Sequence, residues 1–263
     1  MRDSDRSPDT EPRLADGSLV RAVLFDLGET LLRFGPLCPQ ALFNQAARLS
    51  YDYLKGLGQP VGSFARYWVV NWIGLRWNLL HSWIHKCDFD SLAVLRRHGE
   101  KKGIRLSDPQ WLGLEEAWYR PLAQQVQVEP DLPNTLRQLA DRGLKLGILS
   151  NSFIHASAMD EHLRQLGLLN FFPVRMFSYE FGFRKPDLRF FHEATRRLGV
   201  PPAETIFVGD RIGADVHGSR AAGMIPVLLS AHTNTGKRPP EGVLCIDRLA
   251  ELPAILDNRK ATV

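Results

Sequence analysis

The chain has 263 residues, 44% apolar and 24% charged, which is ordinary globular composition and long enough for one large domain or two smaller ones. A formal charge of +4 is spread over scattered Lys and Arg, so there is no dense basic run of the kind a nucleic acid needs. No stretch of about 18 apolar residues suits a membrane span.

Residues 1–19 are polar and lack the apolar centre of a signal peptide, so they read as a disordered tail. Cys38, Cys87 and Cys245 are far apart without CxxC spacing and read as reduced thiols of a cytoplasmic protein; with the scattered charge and the missing apolar run, neither nucleic acid nor membrane is expected as a partner.

The first strand is AVLFD (22–26), four apolar residues that stop on the carboxylate of Asp26. Residues 35–140 then pass without a convincing strand. A direct crossover between parallel strands needs only a few tens of residues, so this segment reads as an inserted helical module. In it Trp68, Trp72, Leu75 and Leu79 recur at helical spacing, a stripe expected to pack rather than to bind a ligand.

After the insert, short β-branched runs alternate with helical patterns: LKLGILS (144–150), VRMFSY (174–179), TIFVGD (205–210), IPVLLS (225–230) and VLCI (243–246). Asp187 is a plausible N-cap for the helix that ends at Gly199. Asp215 opens a small-residue helix, in which Gly218, Ala221 and Ala222 would permit close packing. Continuous apolar strands alternating with helices predict an α/β fold: a Rossmann-like, doubly wound parallel sheet with an inserted α-helical cap. Its core is assigned to residues 20–34 and 141–257, the cap to 35–140, and a C-terminal tail to 258–263.

In such a sheet a ligand sits beyond the carboxyl ends of the strands. The polar residues there are Asp26, Ser150 with Asn151, Lys185, and Asp210 followed by Asp215. A carboxylate nucleophile, a hydroxyl, a fixed cation and an acidic pair form a set suited to holding a phosphoryl group and one divalent metal. Pro186 disfavours helical backbone at Lys185 and so keeps the lysine extended before its helix.

In this order, FDLGETL, ILSNS, SYEFGFRKPD and VGDRIGADVHGSRAAGM resemble the four motifs of the haloacid dehalogenase (HAD) superfamily, and the insert resembles its helical cap of the first type. The resemblance implies that Asp26 attacks phosphorus and forms an aspartyl-phosphate. It implies Mg²⁺ held by Asp26, the main-chain carbonyl of Gly28 and Asp210. Ser150 and the N–H of Asn151 would then grip phosphate oxygens, and Lys185 would neutralise charge. Asp215 would orient the metal's waters, pair with Lys185, or simply cap its helix.

Most phosphatases of this family carry a second Asp two residues after the nucleophile, as the acid that protonates the leaving group. Here that place is Gly28. The resemblance therefore implies a phosphatase of a small phosphorylated metabolite, monomer or homodimer, that uses another acid or is confined to good leaving groups. Glu29, His81 and His85 are the candidates for that acid. A phosphonate hydrolase using Lys55, Lys86, Lys101 or Lys102, and a weakened phosphate/Mg-binding regulatory protein, are the alternatives.

Overall fold

The computed structural model of the chain describes residues 11–256. Six parallel strands form one sheet: β1 (Ala22–Phe25), β2 (Lys145–Ser150), β3 (Val174–Phe177), β4 (Thr205–Gly209), β5 (Ile225–Leu229) and β6 (Leu244–Ile246), in the order β3-β2-β1-β4-β5-β6. Each expected strand forms.

Both faces of β1 are covered, which is why the strand is apolar throughout rather than alternating. Val23 and Phe25 point into one core with Leu146, Ile148, Ile206 and Val208. Ala22 and Leu24 point into the other with Leu149, Phe207 and the phenylalanines of the helix Leu188–Leu198, Phe190 and Phe191. Asp187 caps this helix by accepting from the N–H of Arg189, and Gly199, in left-handed geometry at φ +63°, closes it.

The insert consists of α1 (Pro39–Gly56), α2 (Phe64–His85), α3 (Ser91–Lys101) and α4 (Asp108–Ala123), with a core of its own around Tyr51, Leu54, Trp111 and Leu114. Trp68 and Trp72 pack on Phe43 of α1, with ring centroids 5.6 and 4.8 Å away, so this part of the aromatic stripe is packing. The outer side of α2 is less covered: Ile73, Trp77 and Trp83 are 61, 69 and 73% exposed.

Two boundaries differ from the sequence reading. Helix α5 (Leu132–Asp141), assigned to the end of the insert, instead packs Leu132, Leu136 and Leu139 beneath the sheet beside Val23 and Phe25. The chain leaves and re-enters at one place, where Arg33 and Gln127 exchange two backbone hydrogen bonds of 2.9 and 2.7 Å. The polar segment before β1 is also partly fixed. Leu14 is buried in the sheet's core, and Arg21 pairs with Glu11 at 3.2 Å and Glu204 at 3.4 Å. The rest of the expected N-terminal tail, residues 1–10, and the C-terminal tail lie outside the described residues. Among the described residues no helix is long and apolar enough to cross a membrane.

Candidate functional site

The strand order reverses direction at β1 and β4, which opens a crevice beyond their carboxyl ends. Register places Phe25 beside Val208, so Asp26 and Asp210 leave adjacent strands side by side. Asp215 comes in from the short π-helical turn Ile212–His217, which runs into the short helix Gly218–Ala221. A carboxylate oxygen from each of these three buried residues lies within 4.8 Å of the others.

Lys185 supplies the counter-charge. Its buried ammonium is 2.6 Å from Asp26 Oδ1 and 2.8 Å from Asp215 Oδ1. Burial alone would lower its pKa, but Asp215 and Asp26 outweigh that and raise it, which favours the charged form. Burial pushes Asp210 up to about 6, with a further push from the Asp26 carboxylate. Asp215 is also raised, by burial first, against the pull of Lys185.

Two glycines make the approach possible. A Cβ on Gly209 would stand 2.5 Å from the Asp215 carboxyl carbon, and one on Gly218 would stand 2.7 Å from the Phe191 ring. The open site at Gly209 lets Asp215 reach Lys185 and accept the Arg211 N–H at 2.8 Å. The expected pairing of Asp215 with Lys185 is present.

Ser150 ends β2 as a buried hydroxyl next to β1. Asn151 does more than the sequence suggested, because its side chain clamps the Lys185 backbone in both directions. Oδ1 accepts the Lys185 N–H at 2.8 Å, and Nδ2 donates to the Lys185 carbonyl at 3.0 Å. The residue that follows the strand-end serine thus fixes the segment that carries the cation.

Gly28 lies in the loop after Asp26, and a Cβ there would meet only Phe34 Cε2 at 3.7 Å, an ordinary contact. Its neighbour Glu29 is turned aside at φ +60°. One Glu29 oxygen accepts the Phe34 N–H at 3.0 Å and the other lies 3.1 Å from His232 Nδ1. Both oxygens are committed, so Glu29 is not a free acid. His81 and His85 stack on each other late in α2, with centroids 4.1 Å apart. Lys55 lies in the last turn of α1 and Lys86 caps α2. Lys101 and Lys102 sit at the end of α3. Among the described residues, Lys185 is the lysine paired with Asp26.

Sequence reasoning missed two sets of residues. Thr233 Oγ1 donates a short hydrogen bond to Asp210 Oδ2, and Asn234 Nδ2 donates to the Asp210 carbonyl at 2.8 Å, so the loop after β5 holds Asp210 in place. Asp88, between α2 and α3, reaches across to the sheet. It pairs with Arg184, the residue before Lys185, at 2.8 Å, and accepts from Ser178 and from Ser82. Phe89 stacks on Phe153 at 4.8 Å beside this latch. A lone Asp in a cap loop and a Thr-Asn pair in a late loop carry no periodic signal, and their partners are far away in sequence.

Asp210 Oδ1 is buried without a hydrogen-bond partner. A bare carboxylate oxygen costs free energy unless something positive meets it, and three convergent carboxylate oxygens form a hard, oxygen-donor set of the type that suits a divalent cation. The residues present therefore fit a metal ion.

A parallel sheet with a helical insert thus carries a strand-end cluster of three buried carboxylates bridged by a buried lysine. Residues 20–223 match the haloacid dehalogenase-like hydrolase family, and the chain belongs to it. Its sequence is 32% identical over 212 residues to the glyceraldehyde 3-phosphate phosphatase of Methanopyrus kandleri, covering 80% of this chain and 83% of that one. Among solved structures it resembles a HAD phosphatase from Thermococcus onnurineus (TM-score 0.58, 25% identity, 90% of this chain and 98% of that one). It also resembles a 2-haloacid dehalogenase from Pseudomonas syringae (TM-score 0.60, 26% identity, 90% and 98%).

Proposed function

We propose that the chain is a Mg²⁺-dependent phosphohydrolase of a small phosphorylated metabolite, working through a transient aspartyl-phosphate (an acyl phosphate) on Asp26. The observation that carries this reading is the cluster of three buried carboxylates around the buried Lys185. Such a cluster is expensive to bury and weak as a stabilising device, so its retention favours chemistry over scaffolding. Phosphatases among the relatives support the same substrate class.

In this mechanism Asp26 attacks phosphorus in line, a P–O bond to Asp26 forms and the bond to the leaving oxygen breaks. Water then attacks phosphorus and returns Asp26 as a carboxylate with inorganic phosphate. The Ser150 hydroxyl and the Asn151 N–H hold non-bridging oxygens, and Lys185 offsets charge on the nucleophile and on the transferring group. Asp26, the Gly28 carbonyl and Asp210 would hold Mg²⁺, which supplies Lewis-acid charge compensation at the phosphoryl group. The leaving oxygen finds no side-chain acid at Gly28, and Glu29 is engaged elsewhere. Good leaving groups, such as acyl phosphates, are therefore the preferred substrates.

The test is phosphate release from acetyl phosphate, p-nitrophenyl phosphate, glyceraldehyde 3-phosphate and a panel of sugar and nucleotide monophosphates, with Mg²⁺ or EDTA, using wild type and Asp26→Asn. Release that needs both Mg²⁺ and Asp26 supports the reading. Release that survives EDTA or the substitution, or no release from folded protein, contradicts it.

A further inference from the structure

The insert contains a groove of about 1390 Å³, far larger than packing leaves by accident and above the ordinary range for small-molecule pockets. None of Asp26, Gly28, Ser150, Lys185, Asp210 or Asp215 lines it. It runs between α2 and α3, with Val70, Ile73 and Trp77 on one wall, Val94 and Leu95 on the other, and Trp118 among the residues of its floor. Eleven residues of α3 give it a length of roughly 16 Å.

The two ends differ in charge. At the outer end stand Arg66, Arg97, Lys101 and Lys102, and among the described residues none of the four forms an ion pair. They press on one another: Lys102 is held below its ordinary pKa by burial and then by Arg66, and His98 is lowered by burial and then by Arg97, Lys102 and Lys101. The dipole of α3 would favour cations at its C-terminus, which accounts for Lys101 and Lys102 but not for Arg97, which precedes the last turn. It does not account for Arg66, which sits in the first turn of α2, where a cation is disfavoured. Over the whole of Phe64–His85 there is no Asp or Glu to answer these charges.

The inner end closes on Ser91, Glu115 and Phe153. Glu115 accepts from the Ser91 hydroxyl and from the His155 N–H at 3.1 Å, and burial raises its pKa, which favours a neutral carboxyl beside an apolar chain.

We propose that this groove is a second binding site, distinct from the phosphoryl site, for an amphipathic organic anion whose apolar body lies between α2 and α3 and whose anionic head meets Arg66, Arg97 and Lys102. An uncompensated cationic rim at one end of an apolar trough selects such a molecule over a neutral one, because the head group supplies the counter-charge the rim lacks while the chain leaves water.

The experiment titrates the full chain with decanoate below its micellar concentration, by calorimetry and by the fluorescence of groove tryptophans Trp77 and Trp118. Decanol and acetate serve as controls. Decanoate should bind saturably at one site, at least tenfold more tightly than decanol, with acetate silent and with no displacement by saturating Mg²⁺ and orthovanadate. The double substitution Arg97→Gln with Lys102→Gln, at exposed rim positions, should keep the melting temperature and weaken decanoate at least fivefold. Val94→Trp, which fills the trough, should abolish binding of both chains.

Absence of saturable binding, equal affinity for decanol, displacement by orthovanadate, or binding left intact in the rim variant would each overturn the assignment. So would adsorption to anionic phosphatidylglycerol vesicles without binding of monomeric decanoate, which would make the apolar side of α2 a membrane surface instead.

Discussion

Gly28→Asp restores the carboxyl that the loop after β1 lacks, and the structure has room for it. The new Cβ meets only Phe34 Cε2 at 3.7 Å, and Gly28 is not among the glycines at positive φ, so the backbone cost is small. The added carboxyl would stand among Asp26 and Asp210, and like-charge repulsion across roughly 6 Å at an effective dielectric of 20 is about 3 kcal/mol. That repulsion favours the protonated form, which is the form a general acid needs. General acid help is worth about 10²–10⁴ in rate, or roughly 3–5.5 kcal/mol of barrier.

The effect should depend on the leaving group. In wild type, kcat/KM should fall steeply as leaving-group pKa rises. In Gly28→Asp the slope should flatten, with a gain of about 10²-fold or more for an alkyl phosphate and little for acetyl phosphate. The assay is phosphate release over a series of aryl and alkyl monoesters at fixed pH. A wild-type profile that is already flat, or a folded Gly28→Asp protein with an unchanged slope, would refute the argument. His232→Asn is the companion measurement. His232 is 43% exposed and 3.1 Å from Glu29. The same slope as wild type is expected, whereas a steeper one would make this histidine the acid.

Other consequences follow from the same geometry. Asp210 has an ordinary pKa of 3.8 and is pushed up to about 6. Its protonated form is therefore favoured in the fold, and the metal-free protein should keep this contribution below pH 4 and lose about 3 kcal/mol of stability as pH rises through 6. Melting curves in EDTA and in Mg²⁺ should therefore separate more at pH 7 than at pH 4.5, and equal separation would contradict this. Asp88→Ala removes the latch to Arg184 and Ser178, leaving a partly buried guanidinium without its partner. It should cost about 2–3 kcal/mol, raise KM and speed proteolysis at the Arg33–Gln127 crossing, as limited digestion would show.

The strands were legible as short apolar runs, clearest in AVLFD and TIFVGD, where β1 and β4 are buried throughout and end on a polar residue. The site residues that follow those strands came with them: Asp26, Ser150 and Asp210 stand where a strand terminates. Lys185 was legible through its Pro186 context. What stayed hidden depends on contacts between distant segments. Asn151 looked like a phosphate ligand through its backbone, yet its side chain holds Lys185, 34 residues on. Helix α5 looks like the rest of the insert because helical periodicity shows that a face is buried but not against what. The stripe of Trp68, Trp72, Leu75 and Leu79 read as packing for the same reason; Trp68 and Trp72 do pack on Phe43, whereas Leu79 is exposed.

Asp26 is the proposed nucleophile, and the most direct measurement is to catch it with the phosphoryl group attached. Wild-type protein mixed with acetyl phosphate and Mg²⁺, quenched in acid within one turnover and digested, should yield a peptide spanning Asp26 that carries one phosphoryl group, and borohydride reduction should convert that residue to homoserine. Asp26→Asn should give neither product. Turnover of acetyl phosphate with no phosphoryl group on this peptide, or with the label on another residue, would contradict the account.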